Sequence, residues 1–103
     1  MASKTWKSRE LQVAKFFDTQ RNPLSGGNSK HTRSDTLHDE LYIECKHRQK
    51  HAIFQLWKDT AEKAKHEGKT PLCAISQHGE HGFLVCIHSD DLKKLVDIMS
   101  DSV

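Results

Sequence analysis

The chain has 103 residues, 35% hydrophobic and 29% charged, and its 16 basic and 14 acidic side chains leave a formal net charge of +2. That length predicts one domain around a single modest core. No apolar run approaches the roughly 18–20 residues that cross a bilayer, and MASKTWKSRE at the start lacks the apolar stretch of a secretory signal, so no membrane association and a cytoplasmic location are expected.

Ser3 is placed to cap a helix running to about Asp18. At 100° per residue Trp6, Val13 and Phe17 form one stripe, flanked by Ala14 and Phe16. Glu10 falls inside that stripe, where an ionised carboxylate is costly unless paired. Two readings follow: a structural salt bridge at the edge of the core, or a carboxylate pointing across its rim toward a metal or other cation.

RNPLSGGNSKHT reads as a loop with room for a short irregular strand. A strand from about Arg33 to Leu37, a tight connection at His38-Asp39-Glu40 and a strand from Leu41 to Lys46 then make a hairpin. Because strand side chains alternate, Leu41, Ile43 and Cys45 share one face and Tyr42, Glu44 and Lys46 the other. A second helix spans about His51 to Glu67 and stops at Gly68. Its inward stripe is Ile53, Leu56, Trp57, Thr60 and Ala64, with Lys58, Glu62 and Lys65 outward. PLCAIS and FLVCIHS are short strands joined by QHGEHG, and a last helix starts at Ser89 with Asp90 and Asp91 in its first turn. The predicted fold is α/β in the broad sense (α+β), a central mixed sheet flanked by helices, with PLCAIS parallel to LYIECK.

Cys45, Cys73 and Cys86 are odd in number and sit in apolar strand-like runs, which fits reduced, packed thiols. Eight histidines raise the question of zinc. Yet Cys73, His78, His81 and Cys86 contain no C-x-x-C or H-x-x-x-H pair, and His47 and His51 are well spaced only if their segment is helical. Positive charge gathers around the hairpin: Arg21, Lys30 and Arg33 in one stretch and Lys46, Arg48 and Lys50 in another are unopposed by acids. Approaching phosphates would meet such a distribution, and so would an ordinary solvated face.

Asp35 and Glu44 on adjacent strands can aim their carboxylates at one point. Converging carboxylates repel and must share a proton or bind a cation, and hard oxygen ligands favour Mg²⁺ or Mn²⁺. Lys46, on the face of Glu44, can hold or deprotonate a water beside that ion. Such an arrangement suits phosphodiester hydrolysis. A structural Asp-Glu-Lys ion-pair triad is the plainer alternative.

The order Glu10, RNPLSGGNSKHTRSD, LYIECK resembles the PD-(D/E)XK nuclease superfamily and, within it, the small Holliday-junction-resolvase-like endonucleases carried by phages and related mobile elements. The resemblance spans nearly the whole chain, from the first helix to HSDDL. It implies a restriction-endonuclease-like core (αβββαβ) with a further strand and a C-terminal helix. Asp35 matches the first acidic residue of the motif, Glu44 the second and Lys46 the catalytic lysine. Cys45 would lend its backbone carbonyl to the metal. Glu10 matches a helix-borne glutamate near the metal in archaeal-type resolvases, and Arg21 and Ser25 match an arginine and a loop serine aimed at the scissile phosphate. Gly26 and Gly27 would admit the nucleic-acid strand closely. Ser34 stands where the motif's name has proline, a substitution expected to alter little.

What the resemblance implies is a Mg²⁺-dependent (or Mn²⁺-dependent) DNA endonuclease leaving a 5′-phosphate, acting in DNA recombination, and located in the host cytoplasm if phage-encoded. Lys30, Arg33, His47, Arg48 and Lys50 are candidates for further backbone contacts to branched or duplex DNA. No helix is basic enough to lie in a major groove, so shape read through phosphates is expected. Paired cuts on a four-way junction need two active sites, hence a homodimer. The alternatives are a nicking, flap or homing-type endonuclease on duplex DNA, a non-catalytic nucleic-acid-binding module, and a zinc-stabilised interaction protein.

Overall fold

A computed structural model describes residues 2–23 and 33–101 of the chain. They combine helices with a small antiparallel sheet, and the chain divides into two compact units, Met1–Gln49 and Lys50–Val103. Among the described residues no helix is long and apolar enough to cross a membrane.

The first unit opens with α1, Ala2–Phe16. Ser3 therefore lies inside the helix instead of capping it. Lys15 sits in the last turn, where a cation complements the helix dipole. The helix ends because Asp18 turns left-handed, at φ 56, a conformation that Asp tolerates better than most residues. Thr19 N–H then bonds back to Ala14 O at 2.9 Å. The face that α1 buries is Glu10 and Ala14, both without solvent exposure, four residues apart and so on one side. Val13 and Phe17 are half-buried beside them, while Trp6 keeps 36% of its surface exposed.

Three segments without helix or assigned strand follow: 20–22, 33–37 and 41–45. The first two meet antiparallel at an Arg21–Thr36 bridge, with Asn22 N–H to Asp35 O and Leu37 N–H to Gln20 O, both 2.9 Å. The predicted hairpin between 33–37 and 41–46 forms no regular ladder. In a regular antiparallel pair a residue exchanges both its backbone bonds with the same neighbour. Asp35 divides them, giving its N–H to Ile43 O (2.8 Å) and its carbonyl to Asn22.

Side chains complete the pairing. Ser34 Oγ accepts from Ile43 N–H at 2.8 Å, and Asp35 Oδ2 accepts from Cys45 N–H at 2.6 Å. Short polar side chains compete with the backbone in this way. The connection is closed by His38, whose Nδ1 accepts from Glu40 and Leu41 N–H, each at 3.0 Å.

The second unit begins with α2, Ala52–Glu67. Gly68, at φ 66, ends it in a Schellman arrangement, Lys69 N–H to Ala64 O (3.0 Å) and Gly68 N–H to Lys65 O (3.2 Å). Ile53, Trp57, Thr60 and Ala64 are half-buried as the periodicity predicts, but Leu56 is exposed and Ala61 takes the flank instead. β1 (Cys73–Ile75) and β2 (Leu84–Cys86) pair antiparallel in a two-stranded sheet, with Cys73 opposite Cys86, Ala74 opposite Val85 and Ile75 opposite Leu84. The sheet that PLCAIS joins thus has an antiparallel partner in FLVCIHS, where a parallel partner and a central mixed sheet were predicted. Adjacent strands on a short turn reach that pairing with the least chain to order.

The final helix, α3, spans Leu92–Asp101 after a 3₁₀ turn at Ser89–Asp91. His88, not Ser89, caps that turn: its Nδ1 accepts from Asp90 N–H at 3.0 Å.

Candidate active site

The first unit concentrates polar groups where a core would ordinarily be apolar. Glu10, Asn22, Ser34, Asp35 and Thr36 are all buried, with Ala14 the buried hydrophobic residue among them. Buried polar atoms are mostly hydrogen-bonded, and here Asn22, Ser34 and Asp35 are bonded to one another's segments and to 43–45. Asn22 Nδ2 donates to Ser34 O at 3.0 Å, and Ser34 Oγ also lies 3.0 Å from Ile43 O. This network fixes Asp35 against Ile43 and Cys45 and so sets the start of the segment that carries Glu44, Cys45 and Lys46.

Beside it opens a cleft of about 250 Å³, lined by Asp35, Glu44, Cys45, Lys46, His47, Arg48 and Trp6. Of these Asp35 is buried, while Glu44 and Lys46 are exposed, their Oε2 and Nζ 3.4 Å apart. The alternation read from the sequence holds in this stretch: Ile43 and Cys45 are half-buried, Tyr42, Glu44 and Lys46 exposed. Leu41, expected on the inner face, is exposed as well.

Burial, and then the charges of Asp35, Glu10 and Glu44, push the Cys45 thiol from 9.0 up to about 11. The thiol thus stays protonated at neutral pH.

Glu10 stands behind this arrangement. Arg21 Nε donates to its Oε1 at 2.6 Å, while Oε2 is buried with no hydrogen-bond partner among the described residues. The guanidinium carbon of Arg21 also sits 5.7 Å from the centre of the Trp6 ring, within cation–π range. Of the two sequence readings of Glu10, the salt bridge is therefore formed. Arg21, matched by resemblance to a phosphate ligand, is turned to Glu10 and Trp6 and does not line the cleft.

The other predicted residues divide as follows. Arg33 is exposed outside the cleft lining, and Lys50 belongs to the second unit. Ser25, Gly26, Gly27 and Lys30 lie outside the described residues. Among the described residues no group of three or more His, Cys, Asp or Glu side chains is placed to hold a metal ion, and α2 begins at Ala52, so His47 lies outside it.

A divalent cation fits the donors in kind. Two carboxylates, Asp35 and Glu44, line the cleft together with Cys45, whose backbone carbonyl is a third hard oxygen. The spare capacity is Glu10 Oε2 and the Asp35 oxygen not bonded to Cys45 N–H.

Two contributors escaped the sequence reading. Trp6 was assigned to an apolar stripe, but lies four residues before Glu10 on the same helix face and walls the cleft. Ser34 is more than a neutral replacement for proline, since a proline could make neither of its two hydroxyl bonds to Ile43. The hydrogen-bonding residue beside Asp35 was the available signal.

Comparison of the chain with protein-family models, with curated proteins and with solved structures finds no match.

Proposed function

We propose that this protein is a metal-dependent DNA endonuclease of PD-(D/E)XK type, structure-selective and Holliday-junction-resolvase-like, that hydrolyses phosphodiester bonds to leave a 5′-phosphate. One observation carries the reading: Asp35, Glu44 and Lys46 open into a single cleft with Cys45 between them. The element order supports it too. α1, α2 and β1 fall in the order that such a core would give them, with β2 and α3 as the added strand and helix, while the described residues between α1 and α2 hold one isolated bridge and no assigned strand.

Asp35, Glu44 and the Cys45 carbonyl would hold Mg²⁺ or Mn²⁺. The chemistry such an ion supplies is neutralisation of the charge that grows on phosphate oxygens. Lys46 would orient a water through its ammonium donors, one of which is directed to the Glu44 carboxylate. His47 and Arg48, also lining the cleft, offer donors to the DNA backbone. Glu10, held by Arg21 through Oε1, would support the metal or its water through Oε2. Paired cuts on a junction would require a homodimer with two such sites.

The test incubates the full chain with Mg²⁺ or Mn²⁺ and labelled four-way junctions, flaps, nicked and linear duplexes. Paired symmetric cuts on junctions, abolished by chelation, are expected. Cuts confined to flaps, nicks or linear duplex would replace the junction reading with a duplex-directed one. No cleavage of any substrate would overturn the enzyme reading.

A second reading, a non-catalytic nucleic-acid-binding module, draws on the same site. One Asp35 oxygen is already bonded to Cys45 N–H, and Glu44 is already paired with Lys46. Metal-independent binding without cleavage would favour it.

A further inference from the structure

We propose that Cys73 and Cys86 form a cross-strand dithiol that a low-molecular-weight disulfide converts reversibly to an intrachain disulfide. The inference is independent of the nuclease reading, since both residues belong to the second unit.

The strand register carries it. Cys73 and Cys86 are direct partners at the open end of the β1–β2 ladder, the first residue of one strand and the last of the other. Directly opposed residues of an antiparallel pair put their side chains on the same face, with Cα atoms about 4.5 or 5.5 Å apart. A disulfide spans Cα separations of about 4.4–6.8 Å. Both cysteines are free thiols, and the second is partly exposed while the first is 6% exposed. An oxidant can therefore reach Cys86 first, and Cys73 stands behind it as the resolving thiol.

Geometry also sets the character of the bond. Opposed Cβ atoms in a sheet lie about 4.5–5.5 Å apart, whereas a disulfide prefers about 3.8 Å. Closing it draws the two strand ends together, which is easiest at an open ladder end. It also stores strain, so the product is readily reduced. Cys73 Sγ meanwhile lies 3.5 Å from Thr60 Oγ1 on α2, a weak contact in which the thiol is the donor. Oxidation removes that donor and releases the contact between strand and helix.

With glutathione disulfide as the probe, the exchange balances. The Cys86 thiolate attacks one sulfur of the probe, forming a mixed disulfide and expelling one glutathione thiolate. The Cys73 thiolate then attacks Cys86 Sγ, breaking the mixed disulfide and expelling the second glutathione. Two cysteine thiols are oxidised, one glutathione disulfide is reduced, and the two protons pass to the two glutathione molecules.

The experiment equilibrates the full chain in glutathione buffers of graded redox ratio, blocks free thiols by alkylation and maps tryptic peptides by mass. Both cysteines fall in the single segment 70–93, between Lys69 and the cut after Lys93. Under oxidising ratios that segment should carry neither alkyl nor glutathionyl groups and weigh two hydrogens less, with Cys45 alkylated separately. Dithiothreitol should restore two alkylatable thiols. In Cys73→Ser the mixed disulfide should be trapped on Cys86. A segment that takes up two alkyl or two glutathionyl groups at every ratio, or a bridge to Cys45, overturns the proposal; mapping of the unaltered chain decides the matter even if the variant fails to fold.

Discussion

Removing Arg21 exposes the energetic centre of the first unit. Glu10 has no solvent exposure, its Oε1 accepts from Arg21 Nε at 2.6 Å, and Oε2 has no partner among the described residues. Taking one member from a buried ion pair costs about 3–5 kcal/mol, because the other charge is left uncompensated. The Arg21 side chain is 22% exposed, so water screens part of the pair. The expected loss for Arg21→Met therefore lies toward the lower end, about 2–3 kcal/mol.

A double-mutant cycle isolates that coupling: Arg21→Met, Glu10→Gln and both together, each followed by urea unfolding at constant ionic strength. The coupling should reach about 2 kcal/mol, and the double variant should be more stable than Arg21→Met alone. The Glu44–Lys46 pair, with side chains 50% and 64% exposed, serves as the contrast, with a coupling of about 0–1 kcal/mol that salt weakens. If the Arg21–Glu10 coupling is no larger than that of the exposed pair, the buried-pair account is wrong. A drop in DNA affinity at unchanged stability would instead return Arg21 to the phosphate.

Lys46→Ala should abolish cleavage of four-way junctions in Mg²⁺ while leaving DNA retention in a gel shift nearly unchanged; parental cleavage would remove Lys46 from the mechanism. Arg48→Ala should weaken DNA binding uniformly across sequences and lower the slope of log affinity against log salt by about 1, and an unchanged slope would leave it a solvated surface residue. Ser34→Ala deprives Ile43 N–H of its acceptor in a buried setting and should cost about 1–3 kcal/mol on urea unfolding. The Cys45 thiol, raised in the folded chain from 9.0 to about 11, holds its proton where the unfolded chain loses it. Its contribution to stability is complete below pH 9 and lost as pH rises from 9 through 11. Ultraviolet thiolate titration should show this late transition, and Asp35→Asn should move it down by removing one of the charges responsible.

Much of the local architecture was legible in the sequence. Gly68 marks the end of α2 because a left-handed residue is needed there, and the apolar spacing of Ile53, Trp57, Thr60 and Ala64 sets its inward face. Alternation along 42–46 correctly separated half-buried Ile43 and Cys45 from exposed Glu44 and Lys46. Helix starts were less legible: the backbone enters α1 before Ser3, and the turn that does start at Ser89 is capped by His88. Capping depends on where the preceding chain arrives, which residue type alone does not fix.

By itself, then, the sequence determined those features that depend on near neighbours: three helices, two short strands in 71–89, and the juxtaposition of Glu44, Cys45 and Lys46 along one extended segment. Their causes are helical period, strand alternation and backbone dihedrals, all set within a few residues. Tertiary structure alone decided that Glu10 meets Arg21 and that Asp35 divides its backbone bonds between Asn22 and Ile43. It likewise decided that Trp6 walls the cleft and that Cys73 stands opposite Cys86. Each of these depends on which partners meet across eight or more residues of chain, and for Glu10 and Asp35 on what can compensate a buried charge or an unpaired N–H. That competition is settled only when the whole set of segments is packed.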